Sequence, residues 1–259
     1  MSYFIVAFVF GLFIGSFLNS LAFRLEAIWQ AVKLPRGASP YSNRSFCPDC
    51  GHLLSFFDLI PIASFLFLRG KCRYCHGNIS LRYLLVELTV GLLFGLIFYS
   101  LGNTLYSYYL ILISFFLIVI FLYDLRHFII PDSVLIPAIL IALGYLFIFD
   151  YINLSQYIFS GLGVALFFLL IFVFSKGRWI GFGDVKLGLL VGLMTGFPNV
   201  LVALFCAFLL GSLVGILLIL FGKKKIKSEV PFGPFLIFGI YIAILFGNSF
   251  VDWYLNLIL

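Results

Sequence analysis

Residues 105–124 read LYSYYLILISFFLIVIFLYD, a run with no charged side chain before its last residue, Asp124. A bilayer core of about 30 Å is crossed by about 20 apolar helical residues, so this run is long enough to span it. Residues 181–184, GFGD, lie in a break between two other apolar runs and bring a second acid, Asp184, to a boundary. An acidic side chain at a membrane boundary is energetically costly unless it has a charged or polar partner or a function. The two acids therefore mark a candidate site in a membrane protein.

The composition of the whole chain extends this pattern. Its 259 residues are 64% hydrophobic and 10% charged, which is more apolar surface than a soluble protein of this length can bury. We predict an all-α polytopic membrane protein with about eight transmembrane helices and a small cytoplasmic module. The predicted spans are 3–23, 83–101, 105–123, 133–149, 157–175, 185–197, 199–221 and 231–250.

The basic residues orient these spans. All 16 Lys and Arg residues lie at or beyond alternate span ends, and the opposite loops (100–104, 150–156, 196–199 and 251–259) carry none. By the positive-inside rule the basic ends face the cytoplasm, which predicts that both termini face outward. Arg24 follows the first apolar run, the reverse of the charge order in a signal peptide. We therefore interpret residues 3–23 as an uncleaved span.

This arrangement predicts three segments: a first transmembrane helix (1–23), a polar cytoplasmic module (24–82) and a seven-helix membrane core (83–259). Within the module, two CxxC motifs separated by 21 residues supply Cys47, Cys50, Cys72 and Cys75. Two such motifs are typical of one tetrahedral zinc site, and four cysteine ligands leave no open position for substrate, so the zinc is predicted to be structural. The alternative, a redox dithiol pair, is disfavoured in a reducing cytoplasm.

Asp124 ends the third span and Asp184 opens the sixth, so both are expected at the same face of the membrane. Two close carboxylates do not easily both ionise, which leaves one as a base toward water and the other as a proton donor. Gly181 and Gly183 are expected to give Asp184 a flexible mount and to allow close backbone approach. The alternative is that this pair of boundary acids forms ion pairs with Arg126, Arg178 or Lys186.

Two further acids leave the assignment open. Asp132 lies at the same predicted level, so the residues alone do not decide whether Asp124 or Asp132 is the partner of Asp184; its simplest role is an N-cap on the fourth span. Glu87 lies about a turn inside the second span, where either an ion pair with Arg82 or a polar contact to substrate or cofactor is expected. Four GxxxG spacings, at 11/15, 91/95, 188/192 and 211/215, predict close helix packing.

A longer series of motifs follows in order along nearly the whole chain. It comprises Gly15-Ser16-Phe17-Leu18-Asn19, the two cysteine motifs, Asp58-Leu59-Ile60-Pro61, Arg69-Gly70-Lys71, Arg82-Tyr83 with Glu87, Asp124-x7-Asp132, Gly181-x-Gly183-Asp184 and Pro231-Phe232-Gly233-Pro234. This series resembles that of the type IV prepilin peptidases, bifunctional leader peptidase/N-methyltransferases among the GxGD aspartic proteases. The chain departs from the family pattern at Leu84, where proline is frequent.

The resemblance implies that Asp124 and Asp184 are catalytic, with Gly181, Gly183 and Asp132 in support. It further implies cleavage of prepilin or pseudopilin leaders at the cytoplasmic face of a bacterial plasma membrane. A second implied activity methylates the new N-terminus with S-adenosyl-L-methionine. For that activity the module 24–82, Arg82 and Glu87 are the candidate contacts, and no nucleic-acid partner is expected.

Two other hypotheses fit part of the pattern. A protease of the signal-peptide-peptidase or presenilin kind also has GxGD, but the cysteine module and Pro231-Phe232-Gly233-Pro234, in place of a Pro-Ala-Leu element, argue against it. A proton-coupled transporter predicts acids near the bilayer midplane and inverted repeats. In this sequence the acids lie at one boundary and no repeat is visible.

Overall fold

The computed structural model describes residues 2–29, 45–221 and 230–258, and the regular structure in these ranges is helical apart from two isolated β-bridges. Short 3-10 helices lie at Phe56–Leu59 and Tyr151–Asn153. The α-helices are α1 (Ser2–Trp29), α2 (Ala63–Phe67), α3 (Leu81–Leu101), α4 (Leu105–His127), α5 (Asp132–Phe149), α6 (Leu154–Ser175), α7 (Phe182–Thr195), α8 (Asn199–Leu220) and α9 (Gly233–Ile258). Seven basic residues used in the predicted orientation lie outside the described ranges: Lys33, Arg36, Arg44, Lys223, Lys224, Lys225 and Lys227.

Seven helices of the described ranges are long and apolar enough to cross a membrane, which confirms an all-helical multi-pass membrane protein. The exception among the predicted spans is 185–197, which corresponds to α7. This helix has 14 residues, about 21 Å at 1.5 Å per residue, and is therefore shorter than the bilayer core. Gly196 ends it with φ of +63°. A Cβ atom there would lie 2.7 Å from the Tyr157 ring, so only glycine fits this turn.

The chain divides into two compact units, residues 1–111 and 112–259. In the first unit α1 packs along α3 through facing glycines. A Cβ atom at Gly11 would lie 2.8 Å from the Gly91 Cα atom, and one at Gly15 would lie 2.8 Å from the Glu87 Cα atom. These contacts confirm the predicted packing faces on both helices.

In the second unit α7 packs against α5, α6, α8 and α9. The predicted face at 188/192 is confirmed, because Gly188 lies against the Phe168 ring and Gly192 against the backbone of Gly161. The prediction for 211/215 holds only at Gly211, where a Cβ atom would lie 3.4 Å from the Phe235 ring, because a Cβ atom at Gly215 would have no described atom within 4 Å. Four helices thus surround α7, which explains how a short helix holds Asp184 firmly in place.

A buried hydrogen bond and a ring contact join α9 to α4. The Tyr241 hydroxyl donates to Ser114 Oγ at 2.7 Å, and both residues are buried. Closer to the end of α4, the Phe121 and Phe238 rings meet edge to face with centroids 5.6 Å apart. Both contacts fix the register of α9 along α4.

Candidate functional site

Asp124 lies in the last turn of α4, a helix end that disfavours a carboxylate because of the helix dipole. The residue is 4% exposed. Among the described residues its Oδ2 atom makes no hydrogen bond of good geometry, and its nearest backbone donor is the Gly233 N–H. Oδ2 lies beside Gly233, the first residue of α9, so the favourable N-terminus of a second helix faces the carboxylate. A buried carboxylate with no side-chain partner to compensate its charge is costly and indicates a functional group.

Asp184 is half-buried and lies in the first turn of α7. Its Oδ2 atom accepts a hydrogen bond from the Gly181 N–H at 3.1 Å, and its own N–H donates to the Gly181 carbonyl at 3.1 Å. Gly181 has φ of −78°, a conformation open to any residue. The GFGD segment therefore holds the Asp184 carboxylate by a hydrogen bond to Gly181, whereas the sequence analysis expected a flexible backbone at this position.

The structure brings Asp124 and Asp184 together. Asp124 and Asp184 lie close enough for their charges to interact. The buried side chain of Ile130 lies between the two segments: a Cβ atom at Gly183 would lie 3.0 Å from Ile130 Cβ, and one at Gly233 would lie 3.5 Å from Ile130 Cδ1. The ends of α4, α7 and α9 thus enclose one small cluster with two carboxylates.

Asp132 has a different environment. It is the first residue of α5, its side chain is 53% exposed, and it forms an ion pair with Lys186. The N-cap of α5 is Pro131 and Asp132 is the first residue within the helix, so the N-cap interpretation is wrong. Lys186, one of the bases considered as a partner for Asp124 or Asp184, thus pairs with Asp132 and compensates its charge.

The four cysteines of the module also come together. Their Sγ atoms all lie within 4.8 Å of one another, and those of Cys47 and Cys75 are 3.9 Å apart. Tetrahedral zinc with Zn–S bonds of about 2.3 Å requires S–S distances of about 3.8 Å, so the four thiols fit one such ion. Both motifs form the same turn: Cys47 N–H donates to the His52 carbonyl at 2.9 Å, and Cys72 N–H donates to the Gly77 carbonyl at 2.8 Å.

Hydrogen bonds in the second turn favour the thiolate at Cys72 but not at Cys75, where the Gly77 backbone lowers the pKa but burial and the Cys72 and Cys50 thiols together raise it. Burial acts to raise the pKa of Cys72, but the Cys75 and Tyr74 backbone and the neighbouring thiols together lower it. The imidazole of His52 packs on the Tyr74 ring, with centroids 3.6 Å apart. This contact gives the His52 ring a packing role.

Asp58 links the second cysteine turn to the segment before α2. Its Oδ2 atom accepts hydrogen bonds from Ser55 N–H (3.0 Å), Ser55 Oγ (2.8 Å) and the Tyr74 hydroxyl (3.2 Å), and Arg73 Nε lies 2.8 Å from Oδ1. Burial acts to raise the pKa of Asp58, but the Ser55 hydrogen bonds and the Arg73 charge outweigh it and hold the pKa below its usual value. No feature of the sequence marked these four residues as one network.

Glu87 and Arg82 do not form the expected ion pair. Glu87 is 8% exposed, and its Oε2 atom accepts a hydrogen bond from the Ile62 N–H at 2.8 Å. Arg82 is exposed, and no ion pair joins it to Glu87 in the described part of the chain. Sequence reasoning missed this contact because the partner is a backbone group 25 residues earlier in the chain.

Residues 9–101 match the bacterial peptidase A24 N-terminal domain, and residues 110–216 match the type IV leader peptidase family. The chain is similar to proteins named prepilin leader peptidase/N-methyltransferase. That of Aeromonas salmonicida is 32% identical over 99% of this chain and 95% of the relative. That of Bacillus subtilis is 31% identical over 98% of both chains, and that of Pseudomonas aeruginosa is 29% identical over 95% and 91%. No solved structure matches the chain.

Proposed function

The chain belongs to the type IV leader peptidase family, and we propose that Asp124 and Asp184 form its catalytic pair. The observation that carries this proposal is the buried Asp124 carboxylate beside the N-terminus of α9, close enough to Asp184 for the two charges to interact. The similarity over nearly the whole length of the relatives favours a leader peptidase over a presenilin-like protease or a transporter. Because the relatives are named for prepilins, the proposed substrates are prepilins or pseudopilins.

The pair activates a water molecule for attack on the scissile carbonyl of the leader. The ionised carboxylate accepts a proton from the water, and the protonated carboxyl donates one to the amine that leaves. Neighbouring acids hold one shared proton more easily than two negative charges, so the two groups act as a unit. The compensation of Asp132 by Lys186 supports Asp124 as the partner of Asp184.

Three residues support this pair in the proposal. Gly181 donates its N–H to Asp184, and Gly183 allows close packing on Ile130. Asp132, through its ion pair with Lys186, connects the start of α5 to the first turn of α7. We expect substitutions at these positions to reduce cleavage by misplacing Asp184.

The test is co-expression with a prepilin and mass spectrometry of the pilin N-terminus. Asp124→Asn and Asp184→Asn are expected to lower cleavage by about 10³-fold or more, as loss of a catalytic group does. Asp252→Asn changes an exposed acid of α9 in the same way and is the matched control. Elution as a folded species in detergent establishes that each variant is intact. Full activity of Asp184→Asn contradicts the proposal.

We propose zinc as the metal of the cysteine cluster. Zinc bound to Cys47, Cys50, Cys72 and Cys75 would join the two CxxC turns and stabilise the fold of the module. Purified protein is expected to contain one zinc per chain, and Cys72→Ser to lose it. Cys206→Ser is the control, because Cys206 lies in α8. Unchanged zinc content in Cys72→Ser contradicts this assignment.

The name shared by the relatives supports a second proposed activity, methylation of the new pilin N-terminus with S-adenosyl-L-methionine. The exposed Arg82 side chain and Glu87 are the proposed contacts, and the module 24–82 is the proposed location. Arg82→Ala is expected to leave cleavage intact and to lower the methylated fraction of the pilin. Equal methylation in wild type and Arg82→Ala contradicts the contribution of Arg82.

We propose that the cysteine module and the catalytic acids face the cytoplasm, with both termini outside, as the distribution of Lys and Arg indicates. The relatives are bacterial proteins, which supports a plasma-membrane location. A tag at either terminus is expected to react with an impermeant reagent in intact spheroplasts. Reaction only after lysis contradicts this orientation.

A further inference from the structure

Four large apolar side chains are exposed in the segment 55–68, within the module predicted to be polar. Phe56 is 73% exposed, Phe57 68%, Leu66 62% and Phe67 88%. Isolated exposed hydrophobic residues are common, but two adjacent pairs on one short segment expose an amount of apolar surface that water disfavours. An apolar partner is therefore expected for this surface.

Hydrogen bonds from α1 and α3 hold the centre of this segment level with the first turns of the candidate span of α3. The Ser16 hydroxyl of α1 donates to the Leu59 carbonyl at 3.4 Å, and Glu87 of α3 accepts from the Ile62 N–H at 2.8 Å. Glu87 lies six residues beyond Leu81, where both the helix and its candidate span begin. At 1.5 Å per residue that is about 9 Å along the helix.

A turn at this depth needs internal partners, because the bilayer core offers no water to backbone groups. Ile62 has φ of +60° and is not within a helix, so its N–H depends on another group. Glu87 supplies an acceptor for it, and Ser16 supplies a donor to the Leu59 carbonyl. The buried Pro61 between them has no N–H to satisfy. The hydrogen bond to the Ile62 N–H also explains why Glu87 places a carboxylate in the first turns of α3.

Basic side chains follow the apolar surface. Arg69 and Lys71 are exposed, and the Arg73 side chain is 51% exposed although it contacts Asp58. Apolar residues that enter an interface by about 5–10 Å beside basic residues are typical of segments that bind anionic membranes. The length of α3 between Leu81 and Glu87 agrees with that depth.

We propose that residues 55–68 form a re-entrant segment whose exposed apolar side chains insert into the same membrane as α1 and α3, while Asp58 stays in its network with Ser55, Arg73 and Tyr74. Phe56, Phe57, Leu66 and Phe67 contact acyl chains, and the basic side chains at 69, 71 and 73 contact anionic headgroups. The partner of this surface is thus the lipid bilayer. The module is thus held together by its cysteine cluster on one side of this segment, and its apolar side chains contact acyl chains on the other side.

Tryptophan fluorescence in vesicles tests this proposal. The native Trp29, Trp179 and Trp253 are replaced with Phe in the full chain, and Phe57→Trp and Phe67→Trp are introduced one at a time. The control is Asn78→Trp, at an exposed position after the second cysteine turn. Each protein is reconstituted into phosphatidylcholine–phosphatidylglycerol vesicles with or without brominated acyl chains, and iodide is the aqueous quencher.

Bromine is expected to quench the emission of Phe57→Trp and Phe67→Trp and to leave that of Asn78→Trp unchanged, whereas iodide should have the opposite effect. Quenching of positions 57 and 67 by iodide alone would overturn the proposal, because the segment would then lie in water. Resistance of both positions to both quenchers would also overturn it, since protein would then cover the surface. Comparison of cleavage in the three variants and wild type establishes that each protein is folded.

Discussion

Gly233 and Asp124 are so close that a Cβ atom at position 233 would lie 2.5 Å from Asp124 Oδ2. Such a separation is shorter than any stable contact between carbon and oxygen, so a side chain at 233 must displace the carboxylate. Gly233 begins α9, and Asp124 lies in the last turn of α4. The N-terminus of α9 therefore forms a wall of the candidate site and sets the position of one of its two acids.

Gly233→Ala is predicted to impair cleavage with little effect on folding. Displacement of a catalytic group by about 1 Å costs on the order of 100-fold in rate, and we expect a loss of that size in kcat. The matched control is Gly215→Ala in α8, where the added methyl group meets no described atom within 4 Å. Steady-state cleavage of a prepilin peptide provides kcat and KM for both variants.

A wild-type kcat for Gly233→Ala would contradict the close approach of α9 to Asp124. Loss of activity in Gly215→Ala as well would indicate a general sensitivity of these helices to added volume. The thermal midpoint of each variant in detergent separates the two explanations, because only a general packing defect lowers it.

Tyr241→Phe is predicted to weaken the attachment of α9 to α4. The variant removes a buried hydrogen bond to Ser114, which contributes on the order of 1 kcal/mol. We expect a lower thermal midpoint and a smaller loss of activity than in Gly233→Ala, because position 241 is far along the helix from Asp124. Tyr254→Phe, at an exposed position of α9, is the control. Equal midpoints for the two tyrosine variants would contradict the prediction.

Asp58→Asn is predicted to destabilise the module by about 1–3 kcal/mol at neutral pH, since it leaves Arg73 without a charged partner. The folded pKa of Asp58 is below its usual value. Its contribution is therefore fully present above the unfolded pKa and is lost as the pH falls through the folded pKa. The difference in thermal midpoint between wild type and Asp58→Asn should shrink on acidification. A difference that is independent of pH would contradict this.

The sequence predicted the relationships that follow from topology and spacing. Alternation of the spans put Asp124 and Asp184 at one face, and paired CxxC motifs predicted the cysteine cluster that the structure contains. It did not predict which acid Lys186 contacts, because several basic residues at one boundary are equivalent until side-chain positions are known. Nor did it predict the partner of Glu87, because a hydrogen bond to a distant backbone amide leaves no pattern in the sequence. Nor did it predict that Phe56 and Phe57 are exposed, because the segment 24–82 was assessed by its average polarity.

Two substitutions of Glu87 are predicted to have different effects. The amide oxygen of Glu87→Gln accepts the Ile62 N–H as the carboxylate does, so bromine quenching of the Phe57→Trp reporter should persist. Glu87→Leu leaves that N–H unpaired at membrane depth, which costs about 1–3 kcal/mol, and we expect weaker quenching as the segment detaches. Equal quenching in both would show that Glu87 does not hold the segment. If Glu87→Gln keeps the quenching and cleavage but loses pilin methylation, the charge itself serves the proposed methyl-donor site, and the two roles of Glu87 are thereby separated.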